Sequence, residues 1–199
     1  MEKRQGRRGG TVGEGAESRH HDYEVGDPVV GMGGGQEWGV VDAGQPGLLR
    51  KVDTSQVPLS YYLGAVGMPG VTAWYGLTQI IAPKEGETVV VSAATGAVGS
   101  AYAARLGQRG CRVVGIAGGA EKCRWLVDEL GFDAAIDYKY ADLRKALREH
   151  CPQGIDVYFD NVGGEILDLA LAQLAMNARV VICGAISQYN ATDGVKGPA

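Results

Sequence analysis

The clearest chemistry in the chain lies in Ala94-Thr95-Gly96-Ala97-Val98-Gly99. This is a G-x-G-x-x-G pattern with alanine in place of its first glycine. Gly96 lets a pyrophosphate approach the backbone, and Gly99 lets a helix pack closely on the strand before it. A helix beginning near Ala97 turns its unpaired N–H groups, at Ala97, Val98 and Gly99, and its positive dipole end towards an anion. Ala94 fits provided its φ is negative. The motif follows a buried apolar run, Glu87–Ala93, and opens a helical stretch, the context a dinucleotide site needs.

The kind of dinucleotide depends on the next strand's end. An NAD site places an acid about 20 residues on, to accept from the ribose 2′-hydroxyl. Here Val114-Gly115-Ile116-Ala117-Gly118-Gly119 ends without one; Lys122 follows, and Tyr138-Lys139 trails the third strand. A 2′-phosphate calls for such cations and donors, each charge-assisted bond contributing about 1.5–3 kcal/mol. NADP is the favoured reading. The competing one makes Glu121 the ribose ligand and Lys122 a solvated charge, although an acid in a first helical turn also has the dipole to explain it.

These residues need a scaffold, and the chain supplies one. Among 199 residues, 45% are hydrophobic and 21% charged, as in ordinary globular proteins. Glycine is abundant at 32 residues, without a collagen period and with only 7 prolines, so it serves turns and close approaches. A net charge of −4 argues against nucleic-acid binding. No apolar run reaches membrane-spanning length, and no signal peptide follows the basic start, so a cytoplasmic location is expected. The cysteines at 111, 123, 151 and 183 lack a Cys-x-x-Cys pair, and the histidines make no convincing set; no metal is expected, His20-His21 being read as part of a solvated tail.

Apolar runs at 88–93, 112–117, 134–136, 155–159 and 179–183 hardly alternate, as in strands buried on both faces of a parallel sheet. Helical patterns separate them: Cys123, Leu126, Val127, Leu130; Leu143, Ala146, Leu147; and an apolar stretch from Glu165 to Met176. The fold class is therefore α/β, a doubly wound parallel sheet of Rossmann type. Residues 1–22 read as a disordered tail. Residues 23–56, where Tyr23–Gly31 reads as a turn feeding a short strand and Gly39–Val41 and Leu48–Val52 add two more strand candidates, read as the remnant of a β-rich domain. A helical interdomain segment over 57–86 leads to the nucleotide domain over 87–199.

Four motifs occur in order: Met68-Pro69-Gly70-Val71-Thr72-Ala73-Trp74-Tyr75-Gly76-Leu77, the phosphate turn at 94–99, Phe159-Asp160-Asn161-Val162-Gly163-Gly164, and Cys183-Gly184-Ala185-Ile186-Ser187-Gln188-Tyr189-Asn190. Together they resemble the zinc-independent medium-chain dehydrogenase/reductases, in the leukotriene B4 dehydrogenase/prostaglandin reductase-like branch. The resemblance runs from about Tyr23 to Asn190. It implies that 23–56 belongs to a GroES-like catalytic domain, and that the activity is NADPH-dependent reduction of the carbon–carbon double bond of α,β-unsaturated ketones and aldehydes. It also implies cofactor contacts at Gly96–Gly99, at Lys122 and Tyr138, at Asn161, and along Cys183, Gly184, Ala185, Ile186, Ser187 and Tyr189. By sequence alone Asn161 could equally be a turn residue, and Tyr189 a packing aromatic.

The chemistry so implied delivers hydride to the β-carbon of an enone and leaves negative charge on the carbonyl oxygen. A positioned O–H donor stabilises that charge in a water-poor site. Tyr189 is the candidate donor, or orients the nicotinamide ribose. Short-chain reductases are excluded: position 100 is Ser where their loop needs Gly, and no Tyr-x-x-x-Lys occurs. The expected partner is a small enone, with no nucleic acid and no membrane; a homodimer is compatible with the sequence. A quinone reductase and a non-catalytic NADP-binding fragment remain as alternatives.

Overall fold

The computed structural model describes residues 9–106 and 110–192, with the backbone alone for 102–106. The chain divides into two compact units, Met1–Pro69 and Gly70–Ala199.

In the first unit, β1 (Thr11–Glu14), β2 (Pro28–Gly31) and β3 (Leu49–Lys51) form an antiparallel sheet in that order. Strand β1 corrects the expectation of a tail disordered through residue 22. Thr11 and Val12 favour extended backbone, and β2 supplies the partner, Val12 lying opposite Val30. Residues 1–8 of that expected tail lie outside the described residues. Gly39–Val41 is not a strand; Val40 is fully exposed, so nothing rewards its β-propensity.

At the start of the second unit, α1 (Met68–Tyr75), whose first two residues fall before the division, runs into a π-helical turn, Gly76–Ile81. Then β4 (Thr88–Ser92), α2 (Ala97–Leu106), β5 (Arg112–Ala117), α3 (Ala120–Asp128), β6 (Ala134–Asp137), α4 (Leu143–His150), β7 (Ile155–Asp160), α5 (Gly164–Leu171) and β8 (Leu174–Ile182) follow. The sheet is parallel throughout, in the order β6-β5-β4-β7-β8. The chain thus moves outward from β4 to β6 and returns to β7 on the other flank of β4. That reversal is the topological switch where open α/β sheets bind ligands.

Both faces are covered, so the strands need no polar alternation. Val89, Val91, Val113, Val157 and Phe159 meet α2 and α3 through Val98, Ala101 and Leu126. Val90, Val114, Ile116 and Tyr158 meet α4 and α5 through Leu143, Leu147 and Ala170. Asp142 caps α4, its carboxylate accepting from Lys145 N–H over 3.1 Å.

Two helix expectations need revision. Val127 is 40% exposed, so α3 packs inward through the buried Leu126 and the partly buried Cys123, with Leu130, in the turn after the helix, beside them. The helix expected over Glu165–Met176 ends at Leu171, and Leu174–Met176 instead begins β8, where Leu174 pairs with Ile155. An apolar run of that length reads as helix or strand, and strand pairing decides it.

Candidate functional site

The phosphate turn is built as its spacing requires. After β4, Gly96 N–H donates to the Ala93 carbonyl over 2.8 Å, and Ser100 N–H to the Gly96 carbonyl over 2.9 Å. The N–H groups of Ala97, Val98 and Gly99 therefore precede the helical ladder. The residue in the left-handed region is Ala93, at φ 46°; Ala94 is not, so alanine is tolerated where the fingerprint has glycine. A Cβ on Gly99 would stand 2.6 Å from the Ala93 carbonyl oxygen and 2.8 Å from Ala94 Cα. On Gly96 it would stand 3.0 Å from that oxygen. The cradle is closed to side chains and open to an anion.

The tips of β5 and β6 form one unit beside it. The Asp137 carboxylate accepts from Gly119 N–H (2.9 Å) and Lys139 N–H (3.1 Å), and Tyr138 N–H donates to the Ala117 carbonyl. A Cβ on Gly118 would lie 2.9 Å from the Tyr138 ring and 3.0 Å from Lys139 Cε. Lys122 and Glu121 both sit in the first turn of α3, exposed. Among the described residues, neither Lys122 nor Lys139 forms an ion pair, leaving both ammonium groups for an external anion.

On the other flank, Asn161 follows β7. Its N–H donates to Ser92 Oγ and its Nδ2 to the Ser92 carbonyl, each over 2.8 Å. The loop after β8 is laced to the same tip. Cys183 and Gly184 N–H donate to the Asp160 carbonyl, Ile186 N–H to that of Asn161, and Ser187 donates to that of Val162 through N–H and Oγ. Tyr189 folds back over this loop, its hydroxyl oxygen accepting from Ala185 N–H over 3.3 Å, with the residue 68% exposed. Burial, then the Asp160 carboxylate, pushes the half-buried Cys183 thiol above its ordinary value, away from thiolate chemistry.

Asp160 itself was not singled out by the sequence reasoning, beyond its place in a motif. Fully buried, its carboxylate accepts from Ser92 Oγ (3.0 Å), Tyr158 Oη (2.9 Å), Val162 N–H (3.1 Å) and Gly163 N–H (2.9 Å). Burial, and then this carboxylate, raises the Tyr158 phenol far above the usual range and keeps it a donor. The available signal was a strand ending in Phe-Asp-Asn beside one ending in Val-Ser, polar groups that could be buried only together.

Elsewhere, His20, His21 and Asp22 bring three potential ligand atoms within 4.8 Å. The Nδ1 lone pair of His20 already accepts from Asp22 N–H over 3.2 Å, while His21 and Asp22 are solvated. A cleft of about 370 Å³ opens between the first turns of α4 and α5, lined by Tyr138, Asp142, Arg144, Glu165 and Ile166. No helix among the described residues is long and apolar enough to cross a membrane.

Comparison with known proteins agrees with this architecture. The family model described as zinc-binding dehydrogenase matches residues 97–196. The chain is 48% identical over 191 residues to the NADPH-dependent curcumin reductase of Escherichia coli, covering 96% of this chain and 54% of that protein. It is 53% identical over 137 residues to prostaglandin reductase 1 of Bos taurus, covering 68% and 41%. The crystal structure of CurA from Vibrio vulnificus in complex with NADPH superposes with a TM-score of 0.84 at 48% identity, covering 96% of this chain and 56% of that one. The chain thus spans about half the length of these relatives. With its fold, motifs and matched segment in agreement, the chain belongs to the medium-chain dehydrogenase/reductase family that this model describes, in its zinc-independent, prostaglandin reductase-like branch.

Proposed function

We propose that this chain binds NADPH and forms the nucleotide-binding part of a reductase acting on the carbon–carbon double bond of α,β-unsaturated ketones and aldehydes. The observation that carries the reading is the turn at 93–99, where Gly99 has no room for a Cβ and the first helical N–H groups are open. The names of the relatives support the reductase class and the phosphorylated cofactor.

The cofactor, when bound, supplies a hydride. The chain's own groups hold and orient it. Gly96 and the N–H groups of Ala97, Val98 and Gly99 receive the diphosphate. Lys122 and Tyr138 donate to the 2′-phosphate, with Lys122 preferred to Glu121 as the discriminating residue. Asn161 and the loop from Cys183 to Ser187 flank the nicotinamide end, on the opposite flank of β4. Tyr189 donates its O–H to the substrate carbonyl oxygen as negative charge develops there. Its oxygen already accepts from Ala185 N–H, so its proton is available.

Titration with NADPH and NADH, followed by NADPH oxidation with a simple enone and with a quinone, tests this. Tight NADPH binding, weak NADH binding and turnover of the enone are expected. Absence of NADPH binding overturns the reading. Turnover of the quinone alone replaces the enone by the other acceptor, and binding without turnover of either leaves a nucleotide-binding unit.

A further inference from the structure

Asp160 and Ser92 end the two strands that flank the topological switch, β7 and β4. Both are fully buried, as is Tyr158, whose hydroxyl joins them. An ionisable side chain in such a position costs several kcal/mol unless its acceptors are filled. The Asp160 carboxylate fills them with two hydroxyls and two backbone N–H groups, those of Ser92, Tyr158, Val162 and Gly163. The filling has a direction. Ser92 Oγ spends its single proton on Asp160, so towards Asn161 it can only accept, and it accepts Asn161 N–H. The Ser92 carbonyl also can only accept, so the Asn161 side-chain atom facing it must be Nδ2. The Ser92 carbonyl alone sets the orientation of that amide, while Ser92 Oγ, oriented by Asp160, holds the Asn161 backbone N–H, and Oδ1 is left as an acceptor with no partner among the described residues.

We infer that Asp160 is a positioning residue for the nicotinamide half of the dinucleotide. Acting through Ser92 Oγ, it holds the Asn161 backbone in place, so that the side chain, turned by the Ser92 carbonyl, presents Oδ1 to a donor such as a ribose hydroxyl or a carboxamide N–H. Its contacts to Val162 and Gly163, and its own carbonyl's to Cys183 and Gly184, fix the loops on either side of that acceptor. The inference rests on the NADPH reading above, and the topology says which half is affected. Lys122 and Tyr138 follow β5 and lie at the end of β6, on one flank of β4, whereas Asn161 lies on the other.

The test compares NADPH with 2′,5′-ADP, which carries the adenosine half and its 2′-phosphate only, as ligands of the wild-type chain, Asp160→Asn and Ser92→Ala. An amide at 160 presents an NH2 group to donors, and alanine at 92 removes the hydroxyl link while leaving the other contacts of Asp160. Both variants should bind NADPH at least ~10-fold more weakly and 2′,5′-ADP within about twofold of wild type. Ser92→Ala decides the matter if Asp160→Asn does not fold. Equal weakening of both ligands, or none of either, overturns the inference while leaving the NADPH reading intact. A wild-type chain that binds 2′,5′-ADP but not NADPH overturns the inference too, and one that binds neither overturns the NADPH reading with it.

Discussion

Gly99 and Ala93 approach so closely that a single added carbon on Gly99 would lie 2.6 Å from the Ala93 carbonyl oxygen. The obstruction is backbone on both sides, at Ala93 and Ala94, so no side chain can swing away. Gly99→Ala should push α2 off the end of β4 and cost about 1–3 kcal/mol, read as a lower unfolding midpoint. Gly96→Ala, with 3.0 Å of clearance, should cost less stability yet still weaken nucleotide binding, because the added methyl brings bulk to the turn proposed to receive the diphosphate. Loss of stability without loss of NADPH affinity in Gly96→Ala would remove the turn from the binding site.

Lys122 discriminates between the two nicotinamide cofactors if its ammonium meets the 2′-phosphate. Lys122→Ala should weaken NADPH binding by roughly 10- to 150-fold and leave NADH binding nearly unchanged. Fluorescence titration of both cofactors checks this, and equal losses would return the role to Glu121.

Tyr189 is held by a bond in which its oxygen is the acceptor. Tyr189→Phe should therefore lower turnover with an enone by ~10²-fold or more, with NADPH affinity within a few-fold of wild type. A rate equal to wild type would remove the hydroxyl from the chemistry. Gly184→Ala offers a second handle, since its new Cβ would sit 2.9 Å from the Tyr189 hydroxyl and displace it.

Alkaline stability provides a pH-dependent test. Burial, only partly offset by Arg112, pushes the Cys151 thiol from 9.0 up to about 11. The folded chain thus holds this proton more tightly than the unfolded chain. The corresponding stability is complete below the unfolded value of 9.0 and is lost as pH rises towards about 11, an effect of about 2 kcal/mol. Cys151→Ala should lose less stability than wild type between about pH 8 and about pH 10.5, as followed by urea unfolding. Parallel losses in the two proteins would contradict the assignment.

Ala82 ends the π-helical turn with φ 44°, its N–H donating to the Leu77 carbonyl. It is exposed, so a glycine there loses no packing. Ala82→Gly should raise stability by about 0.5–1 kcal/mol, visible as a higher thermal midpoint.

The parallel sheet was legible because its strands are apolar on both faces, as in Val89-Val90-Val91 and Val113-Val114, a pattern few other environments reward. The phosphate turn was legible because glycine spacing there reports a steric requirement. Strand β1 was not, since four residues of modest propensity become a strand only when β2 is beside them. The C-terminal part of the expected third helix failed for the same reason, pairing to β7 outweighing an ambiguous apolar run. The Asp160–Ser92 link is more distant still: 68 residues separate its partners, and neither residue alone signals that the other will fill its hydrogen bonds.

The sheet parts its apolar contacts into two separate clusters, one beneath α2 and α3 and one beneath α4 and α5. Val90 and Val91, neighbours along the backbone, therefore report to different surroundings. Truncations on opposite sides should sum nearly independently, whereas pairs on one side should interact, so either layer can be redesigned while the other serves as an internal control.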